Sequence, residues 1–181
     1  WGGIQRSNEY AEKCRIQLFV DSDGDPRARV TQGHSLRIWN DICPESAGLR
    51  VIDPTDSEWI DVAYHGTHRV HCESIRRYGL YAGGHQGGDR VHIHLVKRIQ
   101  QDQEQPGVRS GTDTVVRIDL RAYYDAGGKV LLSLQSVYLT EGIQRRIPPR
   151  FVLGIEDRRT RQLILAPKDD RRKEAAHQHQ L

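Results

Sequence analysis

Methionine is absent from this 181-residue chain, and phenylalanine occurs only twice. The three cysteines, Cys14, Cys43 and Cys72, include no Cys-x-x-Cys pair, which argues against a zinc site of cysteine type. Their odd, sparse number reads as reduced thiols in an intracellular protein, cytoplasmic or nuclear. No apolar run approaches the roughly 18 residues that a membrane-spanning helix needs, and no secretory leader is visible, so no membrane partner is expected. A chain that starts at Trp1 and lacks Met reads as a piece of a longer product.

What is present is polar. Only 36% of residues are hydrophobic, 28% are charged, and the formal net charge is +3. The length suits one domain or two small ones with a modest core. The mildly basic balance permits an anionic partner without demanding one. Arginine outnumbers lysine, and the guanidinium fork matches phosphate oxygens in a way that an ammonium does not.

The most informative feature is His65-Gly66-Thr67, followed at a distance by Arg90-Val91-His92-Ile93-His94-Leu95. A histidine ending an apolar strand, then Gly, then a hydroxyl residue opening a helix, is a compact grip for a dinucleotide. His92 and His94 alternate on a second strand and so face one side. The pairing points to nucleotide handling.

The fold class expected is α+β, with an antiparallel or mixed sheet. Residues 15–20 and 27–31, joined by the turn chemistry of residues 21–26, predict a β-hairpin. Residues 39–59 carry Pro44, Gly48 and Pro54 without a period and read as a linker. A strand over residues 60–64 leads to His65. Thr67 is expected to N-cap a helix over residues 68–78, closed by Gly79 in the left-handed conformation. Residues 83–88 and 100–106 read as loops. Strands are expected over 91–96, 114–120, 129–132 and 136–140, and a short helical turn at Pro148-Pro149. From Ala166 onward the charged, Gln/His-rich composition predicts disorder.

In this order the segments resemble the RNA 2'-phosphotransferase family, often called tRNA 2'-phosphotransferases. The matching pieces are Lys13-Cys14-Arg15, Thr31-Gln32-Gly33-His34-Ser35, His65-Gly66-Thr67, and Ser74-Ile75 with Gly79-Leu80. They continue through Arg90 to Leu95, Gly107-Val108-Arg109-Ser110, Ile118-Asp119-Leu120, residues 136–140 and Pro148-Pro149. The resemblance implies an ADP-ribosyltransferase-like lobe over residues 60–165. Residues 1–38 are then a remnant β-hairpin and QGHS segment of an N-terminal winged-helix lobe, and residues 166–181 a tail. It also implies the reaction. The splice-junction 2'-phosphate of ligated tRNA attacks the nicotinamide-bearing ribose carbon of NAD, and the neighbouring 2''-hydroxyl then attacks that phosphate. The products are 2'-hydroxyl RNA, ADP-ribose 1'',2''-cyclic phosphate and nicotinamide.

Carried over by residue, Arg15 and Arg90 align with the third and fourth of four phosphate-gripping side chains. His65, Gly66, Thr67, His92 or His94, Arg109 and Ser110 would hold NAD. Gln32, Gly33, His34 and Ser35 would shape the pocket or touch the substrate phosphate. The Arg-His pair of the family's early helix has no counterpart before Lys13, and Leu132 and Gln135 stand where relatives often have Arg and Asn. No metal is expected, since the histidines form no HExxH or comparable ligand set. The implied partner is 2'-phosphorylated RNA, tRNA in particular, met by a monomer. Two other readings stay open. One is a non-catalytic module for NAD, ADP-ribose or an RNA phosphate. The other is an ADP-ribosyltransferase acting on nucleic-acid phosphate ends.

Overall fold

The computed structural model describes residues 16–30, 43–84, 88–100 and 105–166. Among the described residues the fold is mixed α/β, built from antiparallel strands with two short α-helices. The predicted hairpin is present: β1 (Ile16–Val20) pairs with β2 (Pro26–Val30). Its turn is closed by Asp21, whose carboxylate accepts from the backbone N–H groups of Asp23 and Asp25 at 3.0 and 2.9 Å. Arg29 ties the hairpin to the rest. Its guanidinium donates to Gln17 and to the carbonyls of Glu45 and Ser46.

The stretch expected to be a linker contains a 3-10 turn (Pro44–Ala47) and a strand, β3 (Leu49–Ile52). Leu49 and Ile52 are each 2% exposed while Arg50 and Val51 face out. Four residues whose buried members, Leu49 and Ile52, sit at the two ends while the apolar Val51 is exposed show neither a helical nor a strand period, which is why the pattern is silent.

Two four-stranded sheets follow. The first has the order β12–β11–β7–β4, with β4 spanning Val62–Thr67, β7 Thr114–Asp119, β11 Val152–Asp157 and β12 Leu163–Leu165. The second has the order β3–β8–β9–β6, with β6 at Ile93–Leu95, β8 at Val130–Ser133 and β9 at Tyr138–Thr140. A short pair, β5 (Leu80–Tyr81) with β10 (Arg146–Ile147), stands apart. The β-branched run of β7 is central and buried on both faces, Val115, Val116 and Ile118 being fully covered.

The sheets meet at their edges. Tyr64 of β4 and Val96 just beyond β6 exchange both backbone hydrogen bonds at 2.9 Å. One core fills the space between them, with Ala63, Val116 and Ile155 from the first sheet and Leu95, Leu132 and Tyr138 from the second. Helix α1 (Cys72–Tyr78) adds Cys72 and Ile75, and helix α2 (Leu120–Asp125) adds Leu120 and Tyr123. A smaller cluster of Val96, Ile99, Val108 and Val115 packs on the opposite face of β7.

Several expectations are corrected. Thr67 does not cap a helix; it is the buried last residue of β4. A 3-10 turn (Arg69–His71) precedes α1, which starts only at Cys72. The carboxylate of Asp113, 44 residues away in sequence, accepts from the Arg69 N–H at 2.9 Å and does the capping that Thr67 does not. Gly79 has the positive φ expected, 88°, but its ψ of −172° is extended, because the chain turns directly into β5. A Cβ there would collide with the carbonyl of Ile147. The strand expected over 114–120 stops at Asp119, which N-caps α2 by accepting from the Ala122 N–H at 2.9 Å.

Candidate functional site

The edge where β4 meets β6 brings His65 and His94 together. The Nδ1 of His65 lies 2.8 Å from the carbonyl oxygen of His94. A carbonyl can only accept, so Nδ1 carries the proton and donates. The neutral ring then presents Nε2 as an acceptor. Burial pulls the His65 pKa below its ordinary value against the bond to His94, and the positive charge of Arg109 adds to the depression.

His94 is neutral for related reasons. Its pKa falls to about 4, chiefly through burial, then through His65 and the charges of Arg90 and Arg109. A hydrogen bond to the His92 backbone pushes the other way without prevailing. Ile93 and Leu95 on either side face the core at 3% and 0% exposure. His92, 4% exposed, lies in the interior just before β6. Of the two histidines left open by the sequence, His94 meets His65 through its carbonyl and is electrostatically coupled to it.

Arg90 and Arg109 are both exposed. Arg109 lies in the segment before β7 and acts on both imidazoles, whereas Arg90 acts on His94. Ser110 is exposed beside Arg109. Two uncharged imidazoles and two guanidinium groups therefore share one edge. The former can exchange hydrogen bonds with hydroxyls, and the latter can neutralise phosphate oxygens.

Gly66 works differently from a residue that simply opens space for a ligand. A Cβ on it would approach Val108 Cγ1 to 2.7 Å and Thr112 Oγ1 to 3.2 Å. The missing side chain lets the Arg109 segment pack onto β4. That segment is also held at Asp113, whose pKa burial would raise; bonds from Thr114 Oγ1 and the Arg69 N–H outweigh this and lower it.

Arg15, Gln32, Gly33, His34 and Ser35 lie outside the described residues. Sequence reasoning passed over Asp113, Arg145 and Arg158. Arg145 donates to the carbonyls of Gly88 and Arg90 at 3.3 and 3.4 Å, and Arg158 to Gln100 and Thr112. Their acceptors are mostly backbone carbonyls on remote segments, which leave no local pattern. Among the described residues no helix is long and apolar enough to cross a membrane.

The described fold is mixed α/β, and at the junction of its sheets His65 bonds the His94 backbone while the charges of Arg90 and Arg109 act on the histidines. The family model described as RNA 2'-phosphotransferase, Tpt1/KptA, matches residues 3–142, and the chain belongs to that family. A relative from Hahella chejuensis named "Probable RNA 2'-phosphotransferase" is 29% identical over 136 residues, covering 75% of this chain and 61% of its own length. The "tRNA 2'-phosphotransferase 1" of Danio rerio is 30% identical over 141 residues, 77% of this chain and 58% of the relative. A relative from Pseudomonas aeruginosa, again named "Probable RNA 2'-phosphotransferase", is 32% identical over 144 residues, 80% of this chain and 66% of its own. The chain thus spans about three fifths of the length of the first two relatives.

Proposed function

We propose that this chain is the NAD-handling part of an RNA 2'-phosphotransferase, transferring a 2'-phosphate from spliced tRNA to NAD. The observation that carries this reading is the bond from the His65 ring to the His94 carbonyl, with the charges of Arg90 and Arg109 acting on the histidines. In this reading residues 60–165 are the ADP-ribosyltransferase-like lobe, and the β1–β2 hairpin is the remnant of the winged-helix lobe.

NAD fits the donor set, and when bound it supplies an electrophilic ribose carbon with nicotinamide as leaving group. The chain's own residues do the rest. His65, its Nδ1 proton engaged by the His94 carbonyl, accepts a ribose hydroxyl at Nε2 and fixes the sugar's orientation. Arg109 faces the dinucleotide from the segment before β7. Arg90 meets the incoming RNA phosphate, and fixed guanidinium charge stabilises the crowded phosphorus centre as the 2'-oxygen departs. Neutral imidazoles avoid competing with the guanidinium groups for that phosphate.

The test is incubation of the chain with NAD and a 2'-phosphorylated oligonucleotide. The expected products are 2'-hydroxyl RNA, ADP-ribose 1'',2''-cyclic phosphate and nicotinamide. NAD binding without any transfer would replace this reading with that of a binding module. Stable ADP-ribosylated RNA without cyclic phosphate would replace it with an ADP-ribosyltransferase that modifies phosphate ends.

A further inference from the structure

The segment bearing Arg109 has little regular structure of its own. It runs through residues 105–113, contains two positive-φ glycines, Gly107 and Gly111, on either side of Arg109, and enters β7 at Thr114. A loop of this kind holds a cation in place only if other parts of the fold fasten it.

Arg158, in the turn between β11 and β12, provides the fastening. One guanidinium nitrogen donates to the Thr112 carbonyl at 3.2 Å and to Thr112 Oγ1 at 3.0 Å. The other reaches the carbonyl of Gln100 at 2.8 Å. Its own backbone N–H donates to the Asp113 carbonyl, also at 2.8 Å. A single planar fork thus joins the chain on both sides of residues 101–111 to the end of β11. Lysine, with a compact ammonium, cannot reproduce this geometry. The pairing of Asp157 with Thr114 places the turn directly beside the start of β7, so the reach is short.

We propose that Arg158 is a positioning residue that fastens the Arg109 segment and thereby aims Arg109 at the bound dinucleotide. It lies beyond residues 3–142, the stretch matched by the family model. Arg145 makes an analogous but weaker contact, at 3.3 and 3.4 Å from an exposed position, to the segment of Arg90. The bonds of Arg158 are shorter and those to Thr112 are partly buried, which makes it the stronger of the two clamps. The aiming of Arg109 rests on the NAD-binding reading above; the fastening of the segment does not.

The experiment uses the full chain and three variants, Arg158→Ala, Arg158→Lys and Lys129→Ala, with NAD as the probe. Titration calorimetry measures binding, and amide hydrogen exchange follows residues 105–112. Arg158→Ala is expected to speed exchange across that segment and weaken NAD binding by about tenfold, the order of one hydrogen bond to a charged group. Arg158→Lys is expected to fall between Ala and the parent, and serves as the test if the Ala variant does not fold. Lys129→Ala removes one positive charge from an exposed position before β8, away from the clamp, and should change neither readout, which separates clamping from bulk electrostatics. Unchanged exchange in the Arg158 variants overturns the proposal. Faster exchange with unaltered NAD affinity overturns the aiming of Arg109. A parent chain that binds no NAD would instead refute the functional reading, leaving exchange to decide the clamp alone.

Discussion

The His65 ring is held by the main chain of His94 and not by its side chain: Nδ1 and the carbonyl oxygen are 2.8 Å apart across the junction of the two sheets. The bond fixes the tautomer of one histidine through the backbone of the other. Substituting the His94 side chain therefore leaves the His65 anchor in place, whereas His65→Ala removes it together with the acceptor at Nε2. His65→Ala is expected to weaken NAD binding measurably by calorimetry. An unaltered dissociation constant would remove His65 from the site.

The two guanidinium groups are wired differently to the two imidazoles, and titration can read the wiring. Arg109 lowers both histidines, whereas Arg90 lowers His94. Arg109→Ala should raise the titration midpoints of both rings in an NMR experiment. Arg90→Ala should raise that of His94 and leave that of His65 in place. In the transfer assay Arg90→Ala is expected to cost on the order of 10²–10³-fold, as loss of a group that stabilises developing charge does. Its NAD affinity should stay near that of the parent.

Stability should fall in mild acid. The folded pKa of His94 is depressed from 6.5 to about 4, so between these values the unfolded chain binds the extra proton. The contribution is complete above pH 6.5 and is lost as the pH drops toward 4. At one pKa unit per roughly 1.4 kcal/mol, its ceiling is about 3 kcal/mol. His65 is depressed as well and acts in the same direction. His94→Gln, which cannot titrate, should flatten the melting temperature between pH 6.5 and pH 4 relative to the parent. A profile as steep as the parent's would mean that other groups govern it.

Much of this arrangement is legible from side-chain pattern alone. The β-hairpin, the apolar run of β7 and the His65 and His94 strands follow from alternation and turn chemistry. Elements fixed by remote contacts are not. β3 is a strand because β8 pairs with it through Leu49–Ser133 to Ile52–Val130. Helix α2 did leave a signal, Asp119 at its N-cap and Gly127 past its end, but the preceding strand pattern runs on through Leu120 and hides the boundary. The strands β11 and β12 were also passed over. Of the candidate site, the histidines were singled out by pattern and Arg90 and Arg109 by the family resemblance, whereas the approach of His94 to His65 depends on where the two sheets join.

Asp113 gives a test of the corrected helix entry. It receives the Arg69 N–H at 2.9 Å and the Thr114 hydroxyl at 2.8 Å. Asp113→Ala should cost about 1 kcal/mol in chemical denaturation, the usual worth of a lost cap. Thr67→Val should not reproduce a capping loss in hydrogen exchange at Arg69, because Thr67 belongs to β4. Slower closing of the 69–71 turn in the Thr67 variant alone would reverse this assignment.

Gly66→Ala separates packing from ligand access most directly. If the glycine served only to admit a ligand, an added methyl would block binding and leave the free protein intact. In this structure the methyl instead meets Val108 at 2.7 Å, inside normal carbon contact, and Thr112 at 3.2 Å. The Arg109 segment must then lift from β4, and overpacking of this kind commonly costs ~1–3 kcal/mol. The expected result is a lower unfolding midpoint without ligand, accompanied by weaker NAD binding. Pairing it with Val108→Ala, which shortens the opposing side chain, should recover part of both losses. Loss of NAD binding at unchanged stability, with no recovery in the double variant, would show that the ligand and not the loop occupies the space beside Gly66.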